Sequence, residues 1–332
     1  MRRNIPSSVA NDRPIRLGTS FARWRAEDLG LNYRHAFTRL CSWRFDLVRL
    51  STSWMEVDQF GFEHLDWLVT EAGRLGQPLV LTVGMKALGW PEFYLPARFS
   101  EQPGQLTEAL MLHVARTIGR YRGCRELVAW QIENEPFNRS GPLSRTVARS
   151  LVRAEAALAR ELDPGRPIMI TTFARFDPAT DRTSNRFQGN WRRRLRLTLP
   201  PEREALAVLR RNDILGLDVY RSIGWRLEGR LGVAQASPDQ LESVARWKRV
   251  ATRQGKRLWI SEAQAEPWEP SRATHGDPVS LRPEDICEIV QRLSSLKPEA
   301  IILWGGEYWL WRAESGDPRW MDAIRALLTS RL

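Results

Sequence analysis

Eight short apolar runs alternate along the chain with eight longer amphipathic ones, and that rhythm limits the fold more than any other feature. The candidate strands are 15–19, 45–50, 79–83, 127–132, 168–172, 214–219, 258–261 and 300–303. The helical patterns between them are 32–42, 64–75, 106–121, 143–162, 201–210, 238–254, 283–295 and 319–330. Several open on proline or an acidic residue, as at Pro201-Glu202 and Pro283-Glu284-Asp285, which suits a helix N-terminus. Strand, helix, strand repeated eight times with right-handed crossovers closes into an α/β (β/α)8 TIM barrel. A doubly wound open sheet would want a glycine-rich phosphate loop after an early strand. The first run ends Leu17-Gly-Thr-Ser-Phe-Ala22 and carries no such loop.

The expected organisation is therefore one barrel domain over 1–332, with an N-terminal extension at 1–13 and a long loop at 174–200 after the fifth strand. Hydrophobic content of 42% and charged content of 27% belong to a globular chain and exclude a fibrous or disordered one. No apolar run reaches the roughly 18 residues of a bilayer span, so no membrane partner is expected. The start, Met1-Arg-Arg-Asn-Ile-Pro, has the charge of a secretory leader without its apolar stretch. Three widely spaced cysteines, Cys41, Cys124 and Cys287, fit a reducing compartment better than a disulfide framework. Both observations favour a cytoplasmic protein, although a trimmed secreted chain would read the same. The net charge of +11 comes mostly from arginines spread over helix faces. Only the run Trp191-Arg-Arg-Arg-Leu-Arg196 is dense enough to form a patch. Its plain reading is a solvated basic loop, and its sharper one a loop that attracts an acidic glycan. No nucleic-acid partner is expected.

Two glutamates stand at the ends of apolar runs. Glu135 closes Leu127-Val-Ala-Trp-Gln-Ile-Glu-Asn-Glu-Pro136, and Glu262 closes Arg257-Leu-Trp-Ile-Ser-Glu262. A barrel keeps its catalytic groups at the carboxyl ends of its strands, and a pair of converging carboxyls is what glycosidic cleavage needs. A strand-end glutamate can equally be a salt bridge to a loop. Two of them, on strands four and seven, point to catalysis. Pro136 is expected to hold Glu135 extended, while alternation turns Glu133 to the other side of the strand. The four histidines, His35, His64, His113 and His275, have no metal-ligand spacing. No nucleophile elbow is present. Neither metal nor organic cofactor is expected.

The two glutamate segments resemble the signatures of glycoside hydrolase clan A, the retaining β-glycosidase barrels that include the cellulase-type family 5 enzymes. The resemblance covers nearly the whole chain, since strand count and signature positions agree. It implies Glu135 as general acid/base, Glu262 as nucleophile and Asn134 as a hydrogen bonder to the sugar 2-hydroxyl. It further implies Arg49 on strand two as the residue that keeps the nucleophile charged, Tyr220 on strand six beside the nucleophile, and Trp304 on strand eight under the sugar. Tryptophans Trp54, Trp90, Trp225, Trp268, Trp304, Trp309 and Trp311 fall at or beyond strand ends, where rings stack on sugar C–H faces. Of these, Trp54, Trp90, Trp268 and Trp304 are the expected substrate platforms, with about half of all the chain's tryptophans serving as packing.

The chain departs from the family 5 pattern in two places. After strand three it reads Thr82-Val-Gly-Met-Lys86 where that pattern has histidine, and it has Asp218 before Tyr220. Lys86 is open to two readings: a charged donor to sugar hydroxyls, or a salt bridge to a loop carboxylate. The expected function is retaining hydrolysis of β-linked oligo- or polysaccharides or glycosides. The alternatives are transglycosylation at the same site and a carbohydrate-binding barrel without turnover. Sugar configuration, linkage and endo or exo action are not legible.

Overall fold

The computed structural model describes residues 14–101, 103–176, 199–227, 230–269 and 278–330. The extension at 1–13, most of the loop at 174–200 with its basic run 191–196, and His275 lie outside them. Eight parallel strands close into a barrel: β1 (Arg16–Phe21), β2 (Leu47–Ser51), β3 (Leu79–Val83), β4 (Leu127–Ile132), β5 (Ile168–Phe173), β6 (Ile214–Val219), β9 (Arg257–Gln264) and β10 (Ala300–Trp304). Each pairs with its sequence neighbour in the barrel, and β1 seals the ring by pairing with β10 from Arg16↔Ala300 to Thr19↔Leu303. All eight expected strands are present, with ends shifted by at most three residues.

Alternation sorts each strand's residues between two environments. Outward side chains such as Val48, Leu50, Leu81, Ile132, Ile170, Leu217 and Leu303 pack against the surrounding helices in one large core. Inward side chains at the amino end form a separate apolar plug of Leu47, Val80, Ala129, Met169, Ile214, Trp259, Ala300 and Ile302. One step further along the strands, the positions that alternate onto the same inner face are Arg49, Thr82, Gln131, Thr171 and Ser261, all buried. The barrel interior thus changes from hydrocarbon to hydrogen-bonding groups toward its carboxyl end. Burying such groups is costly unless they find partners; Arg49, Gln131, Thr171 and Ser261 are hydrogen-bonded, while among the described residues the Thr82 hydroxyl has no partner.

The helices match the amphipathic stretches closely. Tyr33–Ser42 starts at Asn32, whose side chain accepts from the backbone N–H of Arg34 and His35, an N-cap that satisfies two donors otherwise left open. The stretch expected as 143–162 becomes helical only at Arg149. Its first residues instead form a turn bridged between Ser140 and Arg145. Sequence rhythm also misses several short elements on the carboxyl side. These include the helices Arg23–Asp28, Trp54–Phe60 and Gly306–Glu314, and an antiparallel hairpin of β7 (Ser222–Leu227) and β8 (Arg230–Gln235). The hairpin alternates weakly and is punctuated by glycine and arginine, so periodicity could not separate it from loop. No helix among the described residues is long and apolar enough to cross a membrane.

Candidate active site

The carboxyl end of the barrel opens into a cavity of about 700 Å³ whose lining includes Asn134, Glu135, Tyr220, Glu262, Trp268 and Trp304. Both strand-end glutamates reach it, 127 residues apart in sequence. Glu135 does so in a conformation the sequence did not suggest. Instead of being extended before Pro136, it is left-handed, with φ 44°, as is Glu133, with φ 58°. Such backbone costs about 1–3 kcal/mol per residue and needs support from its surroundings. That support is tertiary: the Glu135 N–H donates to Thr171 Oγ1 at 2.9 Å on β5, and its carbonyl accepts from Lys86 Nζ at 2.8 Å. The turn carries Glu133 away from the cavity, where its carboxylate accepts from the N–H groups of Met85 and Lys86. Gly84, at φ 129°, makes room for it; a Cβ there would overlap the Glu133 carboxyl.

Glu262 is held from two sides. Arg49 Nη1 donates to its Oε1 at 2.7 Å, and the Tyr220 hydroxyl donates to its Oε2 at 2.6 Å. Arg49 is itself fully buried and also donates to Gln131 Oε1, the Ser261 carbonyl and Asn134 Oδ1. One guanidinium on β2 therefore ties together β4 and β9, and its planar fork is what makes that possible. Burial first, and then the Glu262 charge, push the Tyr220 phenol up, so it remains a donor.

Glu135 lives in the opposite environment. Burial pushes its carboxyl well above the ordinary range, and Asp218, Glu92 and Glu262 push it further, with Lys86 opposing. Lys86 is fully buried, and its Nζ lies 3.1 Å from Glu92 and 2.8 Å from the Glu135 carbonyl. Of its two readings, the loop carboxylate describes these contacts; the amine supports the Glu135 turn and is not among the cavity-lining groups. Asp218, on β6, is buried beside both glutamates and is pushed up to about 7, first by burial and then by Glu262.

The aromatic expectations divide. Trp304 lies on the cavity floor, where its Nε1 donates to Glu266 at 2.8 Å and the Arg25 guanidinium sits 4.2 Å from its ring centre. Trp90 and Trp268 line the cavity with exposures of 70% and 40%, so their faces are open to a solute. Trp268 packs edge-on against Tyr220 at 4.7 Å. Trp54 does not reach the cavity: it is buried, stacked on His113 at 5.3 Å and packed on Phe99. Trp309 is also buried and donates to the Ala265 carbonyl, whereas Trp311 lines the cavity. The Trp225 side chain lies outside the described residues. Arg25 and Phe173 line the site without having been expected. Arg25 belongs to a short helix with no apolar period, and Phe173 is the last residue of β5. Their one signal is position at or beyond a strand end, which they share with dozens of residues. Among the described residues no group of three or more His, Cys, Asp and Glu could hold a metal ion.

This geometry and fold define a (β/α)8 barrel with a paired-carboxyl site at the carboxyl end of its strands. No protein-family model and no curated protein matches the sequence. Solved structures of glycosidase barrels do resemble the fold. Xylanase 10B from Thermotoga maritima superposes with a TM-score of 0.56 at 14% identity, over 96% of this chain and 95% of that one. GH5_18 from Streptomyces cattleya, in complex with GlcNAc, gives 0.55 at 15% identity over 88% and 70%. A β-galactosidase from the Antarctic haloarchaeon Halorubrum lacusprofundi gives 0.55 at 15% identity over 87% of this chain and 52% of that chain. The chain spans about half the length of this β-galactosidase and of a second one from Marinomonas ef1. At these identities the likeness is one of fold.

Proposed function

We propose that the protein is a retaining glycoside hydrolase acting on β-linked glycans or glycosides, with Glu262 as nucleophile and Glu135 as acid/base. One observation carries the reading: two buried carboxyls share one cavity under opposite influences. Glu262 accepts hydrogen bonds from a guanidinium and a phenol, while Glu135 is pushed up among other carboxyls. A carboxyl held by a guanidinium and a phenol, beside one pushed up toward its protonated form, is how a site obtains one nucleophile and one acid at the same pH. Glycosidase barrels among the similar structures support its coarser part, glycoside hydrolysis.

In the first step a Glu262 oxygen bonds to the anomeric carbon while the Glu135 proton passes to the departing oxygen. In the second, water attacks that carbon, gives a proton to Glu135 and releases Glu262. Asn134 Oδ1 is taken up by Arg49, Gln131 and Thr171, which leaves its NH2 to meet a sugar hydroxyl. Trp304 forms the floor, and Trp90 and Trp268 supply stacking faces at the mouth. The proposal predicts turnover on a panel of aryl β-glycosides and β-linked polysaccharides. It also predicts covalent labelling of Glu262 by a mechanism-based fluorosugar. Glu262→Ala should remain folded and lose turnover by roughly four orders of magnitude or more. Turnover with the label on another residue, or an E262A variant that still hydrolyses, would remove the nucleophile assignment.

A further inference from the structure

Asp218 is a third carboxyl at the centre of this site, and the two-glutamate mechanism leaves it without a task. It stands at the carboxyl end of β6, directly across the ladder from Glu262 on β9, where the register shifts by a bulge. It has no solvent exposure. Its Oδ1 accepts from Ser261 Oγ at 2.6 Å. Among the described residues Oδ2 receives no hydrogen bond from an N–H or a hydroxyl. Its carboxyl instead faces that of Glu135, whose backbone N–H is anchored on Thr171 of β5, the strand paired with β6 through Phe173↔Asp218. Two buried carboxylates resist that arrangement when both are ionised; a proton on one lets the other accept.

The surroundings decide how many protons the pair holds. Glu135 is faced by Asp218 from β6, by Glu262 from β9, and by Glu92 and Lys86 from the segment after β3. Asp218 is faced by Glu262 and Ser261 from β9 and by Arg49 from β2, with Tyr220 two residues along its own strand. The two cations are already engaged. Arg49 directs its donors to Gln131, Ser261, Glu262 and Asn134, and Lys86 is paired with Glu92. Neither is bonded to Asp218. A buried, doubly ionised Glu135–Asp218 pair would stand uncompensated, which is costly at low dielectric.

We propose that Asp218 is a positioning residue that shares a single proton with Glu135, so that the acid/base begins each turnover protonated and oriented by a neighbouring acceptor. The proposal rests on the glycosidase reading of the site. When Glu135 gives its proton to the leaving oxygen, the pair is left with no proton and two negative charges. The repulsion makes Glu135 a stronger base toward the incoming water, whose proton restores the pair to its starting state as the bond from Glu262 to the sugar breaks. No proton is gained or lost over the cycle beyond those of the substrate and water.

The test removes the partner and reads Glu135 directly. The protonated-carboxyl C=O band of Glu135, identified by its absence in Glu135→Gln, is titrated by infrared spectroscopy in the wild type, Asp218→Asn and Asp218→Ser. In parallel, the pH profile of kcat/KM is measured on an aryl β-glycoside with a poor leaving group. With Asp218 neutral or absent, the Glu135 titration and the basic limb of the profile should both move to lower pH by roughly one unit or more, while the acid limb stays. A merely structural role would lower the melting temperature or the rate without moving the titration. A folded Asp218→Asn or Asp218→Ser in which Glu135 titrates at the wild-type pH overturns the proposal. Absence of turnover by the wild type on every glycoside would count against the glycosidase reading alone, since the infrared titration needs no substrate.

Discussion

Arg49 shows how much of this site rests on single side chains. It is fully buried, and four acceptors depend on it: the side-chain oxygens of Gln131, Asn134 and Glu262 and the Ser261 carbonyl. Lysine at this position could keep the charge but not the planar fork, so some of those acceptors would be left unpaired in a dry interior. Arg49→Lys should therefore cost on the order of 3 kcal/mol in stability. It should also lower kcat/KM, because both Glu262 and Asn134 lose their orientation. A denaturant midpoint with the m-value unchanged, alongside kinetics, checks both; a variant as stable as the wild type would show that the network is dispensable. The resemblance to clan A anticipated the Arg49–Glu262 contact and the Tyr220–Glu262 contact. It did not anticipate that Lys86 would support the turn carrying Glu135 and remain behind the cavity wall, because the partner, Glu92, comes close only through the folding of the loop after β3.

At the scale of elements, the end of β4 is fastened to the helix Arg149–Leu162 by a second carboxyl pair. Glu133 and Glu155 are both fully buried, and both are pushed up, first by burial. Glu155 has no hydrogen bond from an N–H or hydroxyl among the described residues and faces the Glu133 carboxyl, which predicts that this pair shares a proton in the native state. The sign follows from linkage. The native state keeps a proton that the unfolded chain loses above its ordinary value of 4.5, so stability falls as pH rises from there toward the native value. Glu155→Gln removes the need for that proton. The melting temperature of E155Q minus that of the wild type should grow as pH increases above 4.5; a difference that stays flat with pH would refute the shared proton. The helix itself was legible from its amphipathic period. Glu155 was not distinguishable from any other polar residue on that period, because its partner becomes a neighbour only through the left-handed turn at Glu133.

For the whole molecule, closure of the ring is what makes the rest possible. The β1–β10 ladder leaves no edge open in the barrel, and unpaired edges are the usual route to aggregation. A chain ending at residue 296, which lacks β10 and the helix Arg319–Ser330, would expose β1 and β9 at once. Such a chain should fail to give soluble, cooperatively melting protein; a cooperative transition from it would mean the ring is not needed for folding. The barrel was readable in the sequence because strands and helices differ in local period, and local period survives without knowledge of neighbours. The two glutamates were readable for a related reason: strand ends fall on one face of any such barrel. What local pattern cannot carry is the company a residue keeps across the ring. The chain carries +11 overall, yet among the described residues the basic and carboxylic side chains that line the cavity are Arg25 against Asp28, Glu92, Glu135, Glu262, Glu266 and Glu269. Composition adds charges without regard to place, whereas proton affinity depends on burial and on charges a few ångströms away. Sequence alone determined the (β/α)8 architecture and which strand ends bear the paired carboxyls. Tertiary structure alone decided that Glu135 leaves its strand left-handed, that Trp54 packs inside while Trp268 stays open, and that Asp218 lies against Glu135, because each of these depends on contacts between segments far apart in the chain.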